Sequence, residues 1–266
     1  MPELPEVQTV INGLNKTVLN KKILTVKEFR SGTVINKIGS KIDNWGRIEK
    51  ISRVGKYILI DTTTKLRLVV HLRMTGKLIY KTKDFGKPAH VRAQVEFTDD
   101  SVLYFDDTRT FGSIRIYKRE QLILPVEMLG PDALSDDFNS DYLWPLTKKR
   151  TAPIKNLLLN QSVVAGLGNI YVAEILFRAN ISPAKRADRL RQKEVNKIVN
   201  ETKKVLKEAI KHNGTTISDY KNVDEKSGEF QNFLRIYGKQ KCKCGHEVVK
   251  IKQAGRSSYY CPKCQK

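Results

Sequence analysis

The stretch VRAQVEFTDDSVLYF, residues 91–105, decides the architecture of the first half of the chain. Apolar and polar residues alternate from Val91 to Phe97, as they do in a strand with one buried face. The TDDS segment that follows is typical of a tight turn, and SVLYF begins a second β-rich run. The stretch therefore predicts a β-hairpin.

Further β-rich runs on both sides of this hairpin predict a larger sheet structure. They lie between about residues 23 and 118 and include YILI, LRLVVHL and SIRIYK. Apolar residues at helical spacing from Leu4 to Val18 predict an amphipathic helix ahead of the strands. We therefore expect the first half to be a β-sandwich or a barrel, closed by this first helix.

The chain becomes helical after Gly130 and Pro131, where we expect the linker between two domains. TAPIKNLLLNQ and GLGNIYVAEILFRANI each predict a helix, and the turn between them is similar to that of a helix-turn-helix. RQKEVNKIVNETKKVLKEAIKHNG predicts a longer helix that ends at Gly214. Strands followed by helices place the chain in the α+β class.

All four cysteines lie in the last 25 residues, in the segment CKCGHEVVKIKQAGRSSYYCPKC. Two cysteine pairs, Cys242 with Cys244 and Cys261 with Cys264, bracket a predicted β-hairpin. They can supply four thiolates to one structural Zn²⁺. Only one residue separates the first pair, so His246 is an alternative ligand, and four reduced thiols without metal are the other interpretation.

The charge of the chain is strongly positive, with 49 Lys and Arg against 28 Asp and Glu, a net +21. Such an excess indicates a polyanionic partner, nucleic acid first and an anionic membrane surface second. No apolar run approaches the roughly eighteen residues of a membrane span, and no signal peptide is recognisable. These features predict a cytoplasmic protein that acts on nucleic acid.

The opening residues, MPELPEV, allow two interpretations. Proline and glutamate both suit the first turn of a helix, so the segment can be a helix start and nothing more. Alternatively, Pro2 becomes the N-terminus and its amine does chemistry. A free α-amino group has a pKa of about 7.7–8, against about 10.4 for lysine, so far more of it is neutral and nucleophilic at pH 7.

Several segments occur in a family-specific order: MPELPEV, HLRMTGKL, DTRTFG, GLGNIYVAEILF, IYGK and the terminal CPKCQK. Together they resemble the bacterial formamidopyrimidine-DNA glycosylases (the Fpg/Nei family), from Met1 to Lys266. Leu4 favours this branch over the related endonuclease VIII branch, which typically has glycine there. The resemblance implies an N-terminal β-sandwich with flanking helices (1–130), a helix-two-turn-helix domain (131–236) and a zinc-finger β-hairpin (237–266).

The resemblance also implies an activity. The family excises oxidised purines, chiefly 8-oxoguanine and formamidopyrimidines, from double-stranded DNA and then cuts the strand at the abasic site by β,δ-elimination. It implies one structural Zn²⁺, a monomer, no membrane partner and a location at the nucleoid of the bacterial cytoplasm.

Four residues match catalytic positions of the family. Pro2 would be the nucleophile once the initiator methionine is removed, and Glu3 the acid and base beside the sugar. Lys56 matches a lysine near the base or the scissile phosphate. Arg256 matches an arginine that grips phosphates and is linked to the δ-elimination step. From spacing alone, Lys56 and Arg256 could equally be solvated surface residues.

Other positions match DNA contacts, and Met74, Arg109 and Phe111 match the residues that fill the space left by a flipped base. The remaining matches are His71, His90, Arg150, Lys155, Asn169 and Tyr237. Glu174 matches a position that faces the active site, or is a surface acid. Residues 215–230 match the loop that closes over the flipped base. Taken alone, each could be an ordinary surface or core residue.

Two other functions stay open from the sequence. One is a non-catalytic DNA-binding protein on the same scaffold. The other is a ribosomal or RNA-associated zinc protein, which would account for the charge and the cysteines but leaves MPELPE unexplained.

Overall fold

Two β-sheets pack face to face behind the first helix of the chain. The computed structural model describes residues 2–82, 86–216, 223 and 227–266. The first helix is α1 (Leu4–Thr17). The strands that follow are β1 (Ile23–Glu28), β2 (Val34–Asn36), β3 (Ile48–Val54), β4 (Tyr57–Thr62), β5 (Leu66–His71), β6 (Gly76–Thr82), β7 (Val91–Phe97), β8 (Ser101–Asp107) and β9 (Ser113–Lys118). The short helix α2 (Leu124–Glu127) comes after them.

The two sheets have four and five strands. Their orders are β1-β7-β8-β6 and β2-β9-β5-β4-β3, and every pair is antiparallel except β2 with β9. One cluster of buried apolar side chains draws on both sheets and on α1; it includes Phe105, Ile114 and Leu14. Because the sheets remain separate and share this core, the structure is a sandwich rather than a barrel. The hairpin predicted from residues 91–105 is confirmed as β7 and β8.

The second half of the described chain is helical up to the terminal hairpin. Its elements are α3 (Ser140–Lys148), α4 (Ile154–Leu159), α5 (Asn169–Arg178), a 3-10 turn (Ala187–Arg189), α6 (Gln192–Lys211), a second 3-10 turn (Phe230–Phe233), β10 (Val249–Gln253) and β11 (Arg256–Tyr260). Between α4 and α5 the Gln161 side chain accepts from the Gly166 N–H and donates to the Leu167 carbonyl, which holds the two turns together. This part of the chain confirms the predicted helix-two-turn-helix.

Helix α3 was not predicted, because it contains Pro145. Proline lacks the N–H that a helix interior uses and usually ends a helix. Here the Asn139 side chain caps the N-terminus by accepting from the Tyr142 N–H at 2.9 Å. Leu143 is buried on the inner face. Capping and burial together offset the cost of the proline.

The chain divides into two compact units. The N-terminal unit comprises Met1–Glu127 and His212–Glu229, and the C-terminal unit comprises Met128–Lys211 and Phe230–Lys266. The predicted three-part division into 1–130, 131–236 and 237–266 stays a prediction. The zinc hairpin clusters with the helices because Lys155 and Asn169 bond to it. The described residues between His212 and Glu229 belong to the same unit as the sandwich. Among the described residues, no helix is both long and apolar enough to cross a membrane.

Candidate functional site

The N-terminal turn of α1 holds the two residues predicted to do the chemistry. Pro2 and Glu3 are both buried. Glu3 is the N-cap, and it forms a reciprocal capping box with Glu6, whose Oε2 accepts from the Glu3 N–H at 2.8 Å. The second Glu6 oxygen accepts from the Thr215 N–H at 2.7 Å. The helix-start interpretation is therefore confirmed, and these bonds fix the backbone that carries Pro2 and Glu3.

Strand pairing gathers most of the other predicted residues of the N-terminal unit at one end of the sandwich. Tyr57 pairs with His71, and His71 pairs with Ser113, across β4, β5 and β9. In the other sheet, Asp107 pairs with Gly76. This end therefore collects Lys56 before β4, His71 at the end of β5, Met74 between β5 and β6, His90 before β7, and Arg109 with Phe111 between β8 and β9.

Lys56 is not a solvated strand lysine. It lies in the turn between β3 and β4 and is only 7% exposed. The turn is tied to α1, because Arg53 donates to the Gln8 side chain through Nε and to the Gly55 carbonyl through Nη1, each at 3.0 Å. The buried ammonium is close enough to His71 to lower the pKa of that imidazole. A buried cation at this end of the sandwich suits an anionic ligand.

His71 is held as a neutral donor. Its Nδ1 accepts from the Arg73 N–H at 2.9 Å, so the ring proton of the neutral form lies on Nε2. The ring packs edge-on against Tyr57, with centroids 4.5 Å apart. Burial first, and then the positive charges of Arg73, Lys56 and Arg115, lower the His71 pKa to about 3. The side chain can donate one hydrogen bond to DNA without carrying a charge.

We expect His71 to stay neutral throughout the physiological pH range. Its folded pKa lies below the unfolded value of about 6.5, so its contribution to stability is fully present above pH 6.5 and is lost as pH falls toward 3. Long-range ¹H–¹⁵N NMR should show one Nε2–H tautomer unchanged from pH 8 to pH 5, with His71→Gln identifying the signals. A ring that titrates near pH 6.5 would contradict this.

Met74, Arg109 and Phe111 lie on two loops that both cross between the sheets. Met74 is 41% exposed and Phe111 is 56% exposed, although both are large and apolar. The Arg109 guanidinium lies 5.0 Å from the centre of the Phe111 ring. Exposed apolar side chains beside a cation are the chemistry expected of a wedge that enters a base stack.

Two predicted DNA contacts are exposed side chains on fixed backbone. His90 donates its backbone N–H to Asp106 at 2.8 Å, which places the exposed imidazole at the same end of the sandwich as the loops. Arg150 follows α3, and its carbonyl accepts from the Asp188 N–H at 3.0 Å. The structure leaves both side chains accessible to a ligand.

Lys155 is a predicted DNA contact whose side chain is fully buried in the C-terminal unit. The ammonium donates to the Ser257 carbonyl at 2.9 Å and to Ser258 Oγ at 2.6 Å. Lys155 therefore attaches α4 to strand β11 of the terminal hairpin. The resemblance to the family gives the position of this lysine in the chain but not the direction of its side chain.

Strand β11 bonds to the Asn169 side chain and carries Arg256. Asn169 begins α5, and its Nδ2 donates to the Ser257 carbonyl at 3.0 Å. Arg256, the preceding residue, is exposed and begins β11 after the turn at Ala254 and Gly255. It lines a groove of about 200 Å³ whose other lining residues are Asn156, Leu159, Asn160 and Ala254. Arg256 thus shares this groove with residues of α4 and of the turn that follows it.

Glu174 is a buried residue and not a surface acid. It is 0% exposed in helix α5. Its Oε2 accepts from the Arg235 N–H, and its Oε1 accepts from the Ile236 and Tyr237 N–H groups, all at 2.9 Å. The Tyr237 ring packs against Tyr259 with centroids 5.0 Å apart. Glu174 therefore positions the segment that carries Tyr237.

The four cysteines form the site of one structural zinc ion. All are free, and their sulfurs lie within 4.8 Å of one another. The Cys242 and Cys264 sulfurs are 3.8 Å apart and those of Cys244 and Cys261 are 3.6 Å apart. Four Zn–S bonds of about 2.3 Å in a tetrahedron require sulfur separations of about 3.8 Å, so the set fits zinc. Four protein ligands leave no open position for water, which makes the role structural.

The one-residue spacing in the first cysteine pair is accommodated by a tight turn. The Gly245 N–H donates to the Cys242 carbonyl at 2.9 Å, and Gly245 has φ +86°, which only glycine adopts easily. The His246 carbonyl accepts from the Cys242 N–H. His246 Nδ1 lies 3.7 Å from Cys244 Sγ and outside the four-sulfur set. The alternative in which His246 is a ligand is not supported.

Two buried carboxylates of the N-terminal unit, Glu6 and Asp107, are not among the predicted site residues. Glu6 could have been found from its position three residues after Glu3, which is the capping-box spacing. Asp107 is 1% exposed and bonds to Thr75 in the loop of Met74 and to Gly112 in the loop of Phe111. It is the first residue of the DTRTFG segment, but the segment does not indicate that its carboxylate reaches the loop of Met74.

Three family models match successive parts of the chain. Residues 1–114 match the formamidopyrimidine-DNA glycosylase N-terminal domain, and residues 129–221 match the H2TH domain of the same glycosylase. Residues 239–266 match the zinc finger found in FPG and IleRS.

Curated relatives match over their whole length. A formamidopyrimidine-DNA glycosylase of Ureaplasma parvum serovar 3 is 39% identical over 275 residues, and one of Wolbachia pipientis subsp. Culex pipiens is 38% identical over 270 residues. Both alignments cover 100% of this chain and 100% of the relative.

Solved structures of a Lactococcus lactis protein share the fold. A mutant of its FPG bound to DNA containing Fapy-dG has a TM-score of 0.92 and 36% identity, covering 100% of both chains. The Lactococcus lactis Fpg bound to DNA with an abasic site has a TM-score of 0.90 and 35% identity, covering 99% of both chains. With the family models and full-length relatives, this places the chain in the formamidopyrimidine-DNA glycosylase family.

Proposed function

We propose that this DNA glycosylase removes oxidised purines, 8-oxoguanine and formamidopyrimidines, from double-stranded DNA and then cleaves the abasic site by β,δ-elimination. Pro2 would be the nucleophile. The L. lactis relative was solved with Fapy-dG DNA and with abasic-site DNA, which supports both steps for this chain. The enzyme would act as a monomer on nucleoid DNA in the cytoplasm.

One observation carries the proposal: a single end of the sandwich gathers a buried lysine, a neutral imidazole and an exposed apolar wedge. Lys56 and His71 can hold a phosphate, one by charge and the other by its Nε2–H. Met74 and Phe111 can fill the space that an extruded base leaves, and Arg109 can donate to the orphaned partner base. A structural or purely phosphate-binding protein has no need of such a wedge.

The first chemical step uses the amine of Pro2. The lone pair of its nitrogen attacks C1′, the bond from C1′ to the base breaks, and the base leaves with the bonding electrons and a proton. The sugar ring then opens between C1′ and O4′, and Glu3 gives its proton to O4′. The product is an iminium between Pro2 and C1′. The position of Pro2 at the positive end of α1 disfavours its protonated form and keeps the lone pair available.

The iminium then drives strand cleavage. It withdraws electrons from C2′, so a base can remove the C2′ proton and the 3′ phosphate leaves. A second elimination removes the 5′ phosphate, and water releases the sugar fragment from Pro2. Glu3, whose backbone the capping box fixes next to Pro2, would relay these protons. In the C-terminal unit, Arg150, Asn169, Tyr237 and Arg256 would supply phosphate contacts.

Borohydride trapping tests the proposal directly. We expect reduction during turnover of an 8-oxoguanine duplex to give one covalent protein–DNA adduct that maps to Pro2. An undamaged duplex of the same sequence should give none. If DNA binds but no adduct forms, or if the adduct maps elsewhere, the chain is a binding protein on this scaffold or uses another nucleophile. Preferential binding of RNA at matched salt would favour an RNA-associated role.

A further inference from the structure

One buried carboxylate connects the two loops that carry the wedge. Asp107 ends β8 and is 1% exposed. Its Oδ2 accepts from the Gly112 N–H at 2.8 Å, which closes the loop that carries Arg109 and Phe111. Its Oδ1 accepts from the Arg109 N–H at 3.2 Å and from the Thr75 hydroxyl. Thr75 directly follows Met74, so the same carboxylate reaches the other wedge loop.

The link between the loops is doubled by the threonine itself. Thr75 Oγ1 accepts from the Arg109 N–H at 3.1 Å while its own proton goes to Asp107. Thr75, Asp107 and Arg109 therefore form a closed triangle across the two loops. We call this triangle the loop clip.

Both loops need such a restraint. Arg73 has φ +53° and Thr110 has φ +61°, left-handed conformations that side-chain-bearing residues adopt only when their surroundings impose them. The backbone at the end of each loop is also tightly packed. A Cβ on Gly112 would lie 2.5 Å from the Phe105 ring, and one on Gly76 would lie 2.5 Å from the Leu72 carbonyl. With the backbone set this way, the clip fixes Met74 relative to Phe111.

We propose that Thr75 and Asp107 are positioning residues for base extrusion, because they hold the two halves of the wedge as one unit. This inference rests on the proposed function, since it assumes that Met74, Arg109 and Phe111 enter the base stack. A wedge made of two independently moving loops would lose conformational entropy on insertion. A wedge that is already joined loses less, so extrusion of a stacked base is faster.

The clip predicts a specific pattern of defects. Excision of 8-oxoguanine requires a stacked, paired base to be extruded, whereas a preformed abasic site has no base to extrude. Thr75→Val removes the hydroxyl with little change in shape. We expect it to slow single-turnover excision of 8-oxoguanine about tenfold or more and to change cleavage of an abasic duplex by less than about threefold. Thr75→Ser keeps the hydroxyl and should restore excision.

Three further measurements make the test decisive. Thr202→Val is a matched control, because Thr202 is a buried residue of α6 whose hydroxyl donates to the Ile198 carbonyl of the same helix. Asp107→Asn keeps one side-chain oxygen as an acceptor, so it can accept hydrogen bonds from only one of the two loops. We expect it to reproduce the Thr75→Val defect. The double variant should be no worse than either single variant. Binding to a tetrahydrofuran duplex, with 2-aminopurine as the orphaned base, measures insertion without catalysis, and Thr75→Val should reduce its fluorescence increase.

The outcomes separate the clip from the proposed function. Thr75→Val that excises at the wild-type rate, or that slows excision and abasic cleavage equally, would overturn the clip. The same holds if Thr202→Val gives the same pattern. If the wild-type protein itself excises no 8-oxoguanine, the proposed function fails. In that case the fluorescence experiment still decides whether Thr75 couples the two loops.

Discussion

A chain that retains one residue ahead of Pro2 is expected to lose base excision by at least about 10³-fold while still binding DNA. An added residue converts the Pro2 nitrogen into an amide, whose lone pair is delocalised and which cannot form an iminium. Loss of a nucleophile typically costs several orders of magnitude in turnover. The predicted DNA contacts of Lys56, His71 and the Met74, Arg109 and Phe111 loops do not depend on that nitrogen, so damaged duplex should still bind.

The matched control is the same protein after the extra residue is removed by a site-specific protease. Single-turnover excision of 8-oxoguanine and the dissociation constant for a tetrahydrofuran duplex would be measured before and after removal. Removal should restore excision and leave the dissociation constant within about threefold. Pro2→Gly offers an independent comparison, because it keeps an N-terminal amine but makes it primary, and it should excise more slowly than the wild type.

Excision by the extended chain at the wild-type rate would remove Pro2 from the mechanism. Loss of both excision and binding would show instead that the extension disturbs the first turn of α1. Circular dichroism and thermal unfolding of the extended chain identify that case, since the Glu3–Glu6 capping box would be broken.

The local pattern of the sequence predicts most of the helices and strands, but not which strands pair to form the sheets. Alternation in residues 91–105 predicts β7 and β8, and the Cys pairs predict the hairpin between them. The choice between a sandwich and a barrel depends on which strands pair across long sequence separations, such as β5 with β9. Pairings of that kind are not encoded in a local period. Helix α3 was missed for a different reason. Proline usually ends a helix, but burial of the helix outweighs this local rule at Pro145.

For the candidate site, the structure adds burial and side-chain direction to residues whose roles remain predictions. Met74 and Phe111 are exposed, as expected for apolar loop side chains that would enter a base stack. Lys155 and Glu174 are predicted to match family positions, and both side chains are buried and bond within the protein. Sequence position does not specify side-chain direction, so a basic residue at a matched position cannot be assigned to DNA without coordinates. Asp107 begins the DTRTFG segment, but its hydrogen bond to Thr75 joins residues 32 apart in the chain and only the structure shows it.

Removal of zinc is expected to weaken binding to damaged duplex by about 100-fold while the N-terminal unit stays folded. Strands β10 and β11 form an isolated two-stranded sheet, which is marginal in water without a further restraint. The metal supplies that restraint through the four cysteines. Residues 239–266 carry eight Lys and Arg against one Glu. When the hairpin unfolds, Arg256 and its neighbours no longer meet the phosphates together, so the salt dependence of binding should also fall.

The ligand set can be tested with paired variants on the same short turn. Cys244→Ser should lower bound zinc well below one per chain and reproduce the binding defect, whereas His246→Gln should retain one zinc and bind DNA normally. The two side chains are two residues apart, but only the cysteine belongs to the four-sulfur set. Metal analysis of the purified protein and binding at two salt concentrations measure both effects. Zinc loss in His246→Gln with full retention in Cys244→Ser would assign the fourth ligand to the histidine. A full zinc complement in both would show that three cysteines hold the ion.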